Sequence, residues 1–208
     1  MCRNIDYSLY LCTDRALMST ETIEESVALA IAGGCTVVQL REKDLSSRDF
    51  YHLALRVKAV TDSTHTPLII NDRVDIALAV DADGVHVGQS DLPAHVVRQI
   101  IGPHKLLGVS ASNLEEATGA AADGADYLGV GAMFATATKT DAALVSLSTL
   151  EKIRRAVKIP IVVIGGINRD TIPYIKGMGV DGIAVISAIL SQEDITGAAR
   201  ELLTMFQG

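Results

Sequence analysis

Residues 159–166 read IPIVVIGG and residues 181–188 read DGIAVISA. Both are nearly continuous runs of aliphatic residues punctuated by glycine or serine. A strand of that kind is covered on both faces, as strands of a parallel sheet between helices are. Toward the N-terminus similar runs recur at Tyr7–Thr13, Thr36–Arg41, Pro67–Asn71, Gly84–Gly88, Lys105–Ser110 and Tyr127–Met133, so that with Pro160–Gly165 and Gly182–Ser187 there are eight. Between them apolar residues return at helical spacing: Ile23, Val27, Ala30 and Ile31 in one segment, and Phe50, Leu53, Ala54 and Val57 in another. Leu150, Ile153 and Val157 repeat the pattern, as do Ile195, Ala198, Ala199 and Leu202. Ser47, Ser148 and Asp170 read as caps before their helices, and Ser112 as the cap after the fifth strand. Strands alternating with helices imply a parallel sheet with right-handed crossovers, and eight units imply closure. The expected fold is α/β, a (β/α)8 TIM barrel. With no linker or composition shift, a single domain over residues 1–208 is expected.

Composition narrows the function. Of 208 residues, 49% are hydrophobic and 21% charged, which excludes a disordered chain. Tryptophan is absent and aromatics are 4%, too few for a base-stacking platform. A net charge of −7 argues against non-specific nucleic-acid binding, although a few local cations can still hold an anionic substrate. No apolar run is long enough to span a bilayer, and Met1–Tyr10 lacks the apolar stretch of a signal peptide. A cytoplasmic location is expected. Cys2, Cys12 and Cys35 show no metal-ligand spacing and read as ordinary reduced residues.

In such a barrel, chemistry gathers at the C-terminal ends of the strands. The second strand ends in QLREK, residues 39–43. At a period of two, Val38 and Leu40 suit the helix-facing side, which turns Gln39, Arg41 and Lys43 toward the barrel mouth. The competing reading is a solvated charge run. The third strand ends at Asn71 and Asp72, and the fourth leads to Gln89 and Asp91. Two acids on neighbouring strand ends can share a hard divalent cation such as Mg²⁺, while either alone suits a turn or cap. Arg73 reads as a salt-bridge partner of these acids. Ser110 closes the fifth strand, and Thr136, Thr138 and Lys139 after the sixth are compact donors for phosphate oxygens. Gly165, Gly166 and Ser187 end the last two strands, where this architecture recurrently holds phosphate. His86 lies within a strand and reads as a packed, hydrogen-bonded residue; no serine-histidine-aspartate constellation stands out.

Taken in order, LYLCTD, VVQLREK, INDRVDIAL, DGVHVGQSDLP, LGVSAS, ADYLGVGAMFATATK, IVVIGGI and DGIAVISAI resemble the thiamine-phosphate synthase family over essentially the whole chain. The resemblance implies a transferase that joins 4-amino-2-methyl-5-hydroxymethylpyrimidine diphosphate to 4-methyl-5-(2-hydroxyethyl)thiazole phosphate, releasing pyrophosphate. It implies a pyrimidine diphosphate site of Gln39, Leu40, Arg41, Glu42, Lys43, Asn71, Ser110 and Lys139, with Arg41, Lys43, Ser110 and Lys139 acting in the reaction. It implies Mg²⁺ on Asp72 and Asp91, and a thiazole phosphate site of Thr136, Ala137, Thr138, Gly166, Ile186 and Ser187. The segment MFAT departs from the family in lacking a proline. Partners would be small phosphorylated heterocycles, with no nucleic acid or membrane, and a homo-oligomer is compatible. The alternatives are a thiazole tautomerase of the same superfamily, which would not need the cations and paired acids, and a non-catalytic phosphate-ligand sensor, which would be expected to lose them.

Overall fold

A computed structural model describes residues 5–135 and 144–208. Eight parallel strands close into a barrel in sequence order: β1 Leu9–Cys12, β2 Val37–Leu40, β3 Leu68–Asn71, β4 Gly84–Val87, β5 Leu106–Ala111, β6 Tyr127–Val130, β7 Ile161–Ile164 and β8 Gly182–Val185. β8 returns to β1 with Leu9 opposite Ile183. Seven of the eight hydrogen-bonded strands are shorter than the apolar runs in the sequence, because the runs also include residues that carry the chain away from the sheet; β5 keeps six residues, shifted by one. Helices α1 Ile23–Ala32, α2 Ser47–Ser63, α3 Val74–Ala79, α4 Ala94–Ile101, α5 Leu114–Ala122, α6 Leu147–Ala156, α7 Ile172–Ile175, α8 Ser187–Leu190 and α9 Ile195–Gln207 surround it. A chain this short makes eight units by reducing α3 to six residues and α7 to four.

Alternation along each strand sorts the core into two shells. Val38 and Leu40 of β2 pack outward in the shell that includes Phe50, Leu53 and Val57 of α2. The inward residues form a second cluster inside the barrel, with Tyr7, Tyr10, Cys12, Val37, Ile69, Leu106, Tyr127, Val162 and Ala184. The interior is filled by side chains and is not a pore.

The caps differ from the sequence expectation by a residue or two. Ser46, not Ser47, caps α2 by accepting from Asp49 N at 3.1 Å, and Ser146, not Ser148, caps α6 by accepting from Thr149 N at 3.1 Å. Asn113 caps α5, while Ser112 donates to Glu116 from both its backbone N–H and its hydroxyl. Thr171 occupies the cap position of α7 with no side-chain capping bond into the helix, one residue after Asp170. A helical first residue must adopt helical φ and ψ, so of two nearby serines the one left extended becomes the cap.

Alternate strands share a clamp at their starts. The residue at or just before each even strand donates its backbone N–H to an early carbonyl of the preceding odd strand. Thr36 to Leu9 measures 2.8 Å, Asp83 to Leu68 2.9 Å, Asp126 to Leu107 2.8 Å and Asp181 to Ile161 2.8 Å. The same four side chains accept the N–H of that partner, at 3.2, 3.0, 2.7 and 2.8 Å respectively. These pairs lie at the N-terminal rim and leave the opposite rim free for chemistry.

Candidate active site

At the C-terminal rim a cavity of about 510 Å³ opens among the strand ends. Gln39, Arg41, Asn71, Ser110, Gly166, Ile186 and Ser187 line it, together with Tyr10, Cys12, His86, Tyr127 and Gly165. Eight of the site residues singled out in the sequence, Gly165 included, thus meet around one space, while Lys43, Asp72 and Asp91 are not among its lining. Leu40 is fully buried on the helix-facing side. Thr136, Ala137, Thr138 and Lys139 lie outside the described residues, as does Cys2.

The β2 end is held by β1. Arg41 N donates to Thr13 Oγ1 at 3.0 Å, and its guanidinium lies 3.4 Å from Asp14. Glu42, one residue on, turns away and pairs with Arg15 at 3.1 Å. Its side chain is therefore committed to a neighbouring loop. Lys43 is exposed beyond the strand end.

Asp72 leaves β3 in a left-handed conformation, with φ of +60°, a backbone state that aspartate tolerates better than most residues. Its carboxyl lies within hydrogen-bonding reach of Asp91. Asp72 keeps one exposed side, yet partial burial followed by repulsion from Asp91 pushes it up to about 6, against the opposing pull of Arg41 and Lys43. Asp91 is fixed in turn, its Oδ2 accepting from Gly88 N at 2.7 Å. The two acids do meet. Arg73 does not join them: it forms a bidentate pair with Asp75 and reaches Ser47 at 2.9 Å. Asp75 is two residues along at the start of α3, so the local pair forms without crossing to the strand ends.

Across the rim, Gly165 and Gly166 have φ of +94° and +66°. A Cβ on Gly165 would come within 2.6 Å of Ala132 Cα, and one on Gly166 within 2.8 Å of Ala135 O. Glycine here admits the loop after β6 against the end of β7. Gly166 O is tied down by Thr171 Oγ1 at 2.9 Å and Asn168 Nδ2 at 3.3 Å. Ile186 and Ser187 begin α8, whose first N–H groups have no partner within the helix.

Residues not singled out for the site fill the cavity floor. Gln39 Nε2 donates to Tyr10 OH at 2.9 Å, Tyr10 OH lies 2.7 Å from Tyr127 OH, and Tyr127 OH lies 3.1 Å from His86 Nδ1. His86 Nε2 then meets Ser110 Oγ at 2.9 Å. His86 is packed and hydrogen-bonded, as its place in a strand implies, and it also faces the cavity. Burial pushes it down to about 4, so it is neutral near pH 7. Parity was the available signal: Tyr10 shares a face with Cys12, and Tyr127 with Gly129. Cys12 and Cys35 are buried free thiols that burial pushes up to about 12, far from nucleophilic.

A closed (β/α)8 barrel whose mouth gathers Arg41 and a glycine-lined rim in one cavity, with a carboxylate pair on the neighbouring strand ends, has the make-up of an enzyme that handles phosphorylated small molecules. The sequence profile of the family described as "Thiamine monophosphate synthase" matches residues 9–189. A thiamine-phosphate synthase of Clostridium beijerinckii is 64% identical over 202 residues, covering 97% of each chain. A solved thiamine phosphate pyrophosphorylase from Pyrococcus furiosus superposes with a TM-score of 0.89 at 42% identity, over 97% of this chain and 96% of that one. A 3-hexulose-6-phosphate synthase, at 20% identity and a TM-score of 0.69 over 95% of this chain and 99% of that one, shares the fold alone. The chain belongs to the thiamine monophosphate synthase family and is a transferase of thiamine biosynthesis. Among the described residues no helix is long and apolar enough to cross a membrane.

Proposed function

We propose that this chain, acting as one barrel domain over residues 1–208 in the cytoplasm, is a thiamine-phosphate synthase. It joins the pyrimidine, carried as a pyrophosphate ester, to the ring nitrogen of the thiazole, carried as a monophosphate. The observation that carries this reading is the placing of unlike anion-handling groups on opposite sides of the C-terminal rim: Arg41, Gly166, Ile186 and Ser187 line the cavity, while the Asp72–Asp91 pair lies close enough to Arg41 and Lys43 to feel their charge without lining the cavity itself.

The reaction is a substitution in which a pyrimidine-methyl carbon loses pyrophosphate and gains the thiazole nitrogen. It needs no protein nucleophile. Its demands are stabilisation of the departing charge, alignment of the attacking nitrogen and exclusion of water. Arg41 offers a planar fork to two oxygens and Lys43 a point charge. Asn71 and Ser110 supply neutral polar contacts beside them, and Lys139 would complete the leaving-group side. Thr136, Ala137, Thr138, Gly166, Ile186 and Ser187 would hold the phosphate that stays.

Asp72 and Asp91 suit a magnesium ion. Two acids close enough for one to raise the other are a poor pair alone and a good oxygen donor set for a hard cation. Without a cation, a carboxylate about 4 Å from a pyrophosphate oxygen is repelled by roughly 4 kcal/mol per unit-charge pair. Bound there, Mg²⁺ would neutralise charge on the departing pyrophosphate. Incubating the protein with both phosphorylated heterocycles and Mg²⁺ should yield thiamine phosphate and pyrophosphate in equal amounts. A folded protein that makes neither product would overturn the proposal.

A further inference from the structure

The five side chains across the cavity floor form one uninterrupted hydrogen-bond chain, Gln39–Tyr10–Tyr127–His86–Ser110, running from β2 to β5 by way of β1, β6 and β4. Its direction is set by the Gln39 amide, which turns Nε2 toward Tyr10; the opposite amide orientation would run the whole chain the other way. Gln39 Nε2 donates to Tyr10, so the Tyr10 hydrogen must go to Tyr127. The Tyr127 hydrogen then goes to His86 Nδ1, which leaves the proton of the neutral imidazole on Nε2, donating to Ser110 Oγ. If the run from Ser110 to Tyr10 were reversed, the Tyr10 oxygen would receive two donors and its own hydrogen would have no acceptor. Tyr10 is 1% exposed, so that arrangement carries the cost of a buried unpaired donor. Gln39 and Ser110 are therefore linked: with one Gln39 amide N–H committed to Tyr10, Gln39 can offer the cavity its carbonyl, and Ser110 its own O–H.

The barrel makes room for this chain. At Gly108 a Cβ would overlap both the Tyr127 ring and His86 Nδ1, and at Gly129 it would lie 2.9 Å from His86 Cε1. Tyr7 packs on Tyr127 with ring centroids 4.9 Å apart and takes no part in the chain. Each member of the chain also lines the cavity.

We infer that Tyr10, Tyr127 and His86 are positioning residues that set the hydrogen-bonding polarity of Gln39 and Ser110, and so select a ring edge presenting a donor to Gln39 and an acceptor to Ser110. This rests on the synthase reading above. An aminopyrimidine edge has that pattern, with its amino group beside a ring nitrogen. The 4-oxo analogue, with a protonated ring nitrogen beside a carbonyl, has donor and acceptor exchanged, and a site with fixed polarity rejects it by leaving groups unpaired.

The ratio of kcat/KM for the amino and oxo pyrimidine diphosphates measures this selection. Tyr127→Phe and Tyr10→Phe should each reduce the ratio by at least ~10-fold, with the KM for the thiazole phosphate unchanged. Tyr7→Phe, which alters packing on the same ring, should leave the ratio unchanged. A ratio that survives both hydroxyl deletions in folded proteins overturns the inference, whereas an unmodified protein with no turnover of the amino substrate defeats the synthase reading instead. Nitrogen-15 NMR of the unliganded protein tests the polarity without substrate: His86, assigned by its loss in His86→Asn, should carry its proton on Nε2. A proton on Nδ1 overturns the inference whatever the activity.

Discussion

His86 makes folding sensitive to acid in a calculable direction. Its native form stays neutral down to about 4, while an unfolded histidine protonates near 6.5. Between those values the unfolded chain binds more protons, so the stabilisation is full above about 6.5 and is lost as the pH falls toward 4. Roughly 2 kcal/mol of that loss should fall between pH 7 and pH 5. Urea denaturation at the two pH values should therefore show a larger drop for the native protein than for His86→Asn. Equal drops would mean that His86 titrates in the fold as it does in the open chain. At this scale the sequence was legible wherever alternation on one strand decided the matter: Gln39 and Arg41 face the mouth because Val38 and Leu40 must face the helices. The His86–Tyr127 bond was not legible. It joins β4 to β6 across Gly108, and no single strand's pattern reveals a contact made over an empty position on the strand between.

The elements are held in register by the clamps at the N-terminal rim, and Asp126 is an informative one to remove. Its Oδ2 accepts the Leu107 N–H at 2.7 Å and also receives Arg98 at 2.5 Å. Leu107 is fully buried, so Asp126→Ala leaves a strand N–H with no side-chain acceptor. A loss of about 1–3 kcal/mol in urea denaturation is expected, with Asp126→Asn recovering part of it by restoring an oxygen. Hydrogen exchange of the Leu107 amide should accelerate in the alanine variant; protection equal to that of the native protein would show the clamp to be incidental. Strand number, order and inward parity were readable because each unit repeats the same apolar logic. The caps were off by one or two residues, since SS at 46–47 and SLS at 146–148 each offer two suitable hydroxyls and only backbone conformation chooses between them. Arg73 was misplaced for a related reason: sequence put it beside the site acids, while a closer partner, Asp75, was available two residues on in the first turn of α3.

At the scale of the whole molecule, the proposed function divides the labour between two sides of the barrel mouth. In that proposal acids and cations at β2–β4 would meet the pyrophosphate that leaves, and the glycine-lined rim at β7–β8 would hold the phosphate that stays. The strand-end positions on which this division rests were legible in the sequence, because barrel closure brings β3 beside β4 and sets both opposite β7 and β8. It also concentrates negative charge at Asp72 and Asp91, where only the folded chain brings the two carboxyls together. The most direct test is to compare Asp72→Ala and Asp91→Ala with the native protein in two measurements, Mg²⁺-dependent turnover and calorimetric binding of the thiazole phosphate. Turnover should fall at least ~100-fold in each variant, while thiazole phosphate affinity stays within about twofold of native. Parallel loss of turnover and of thiazole phosphate binding would contradict the division.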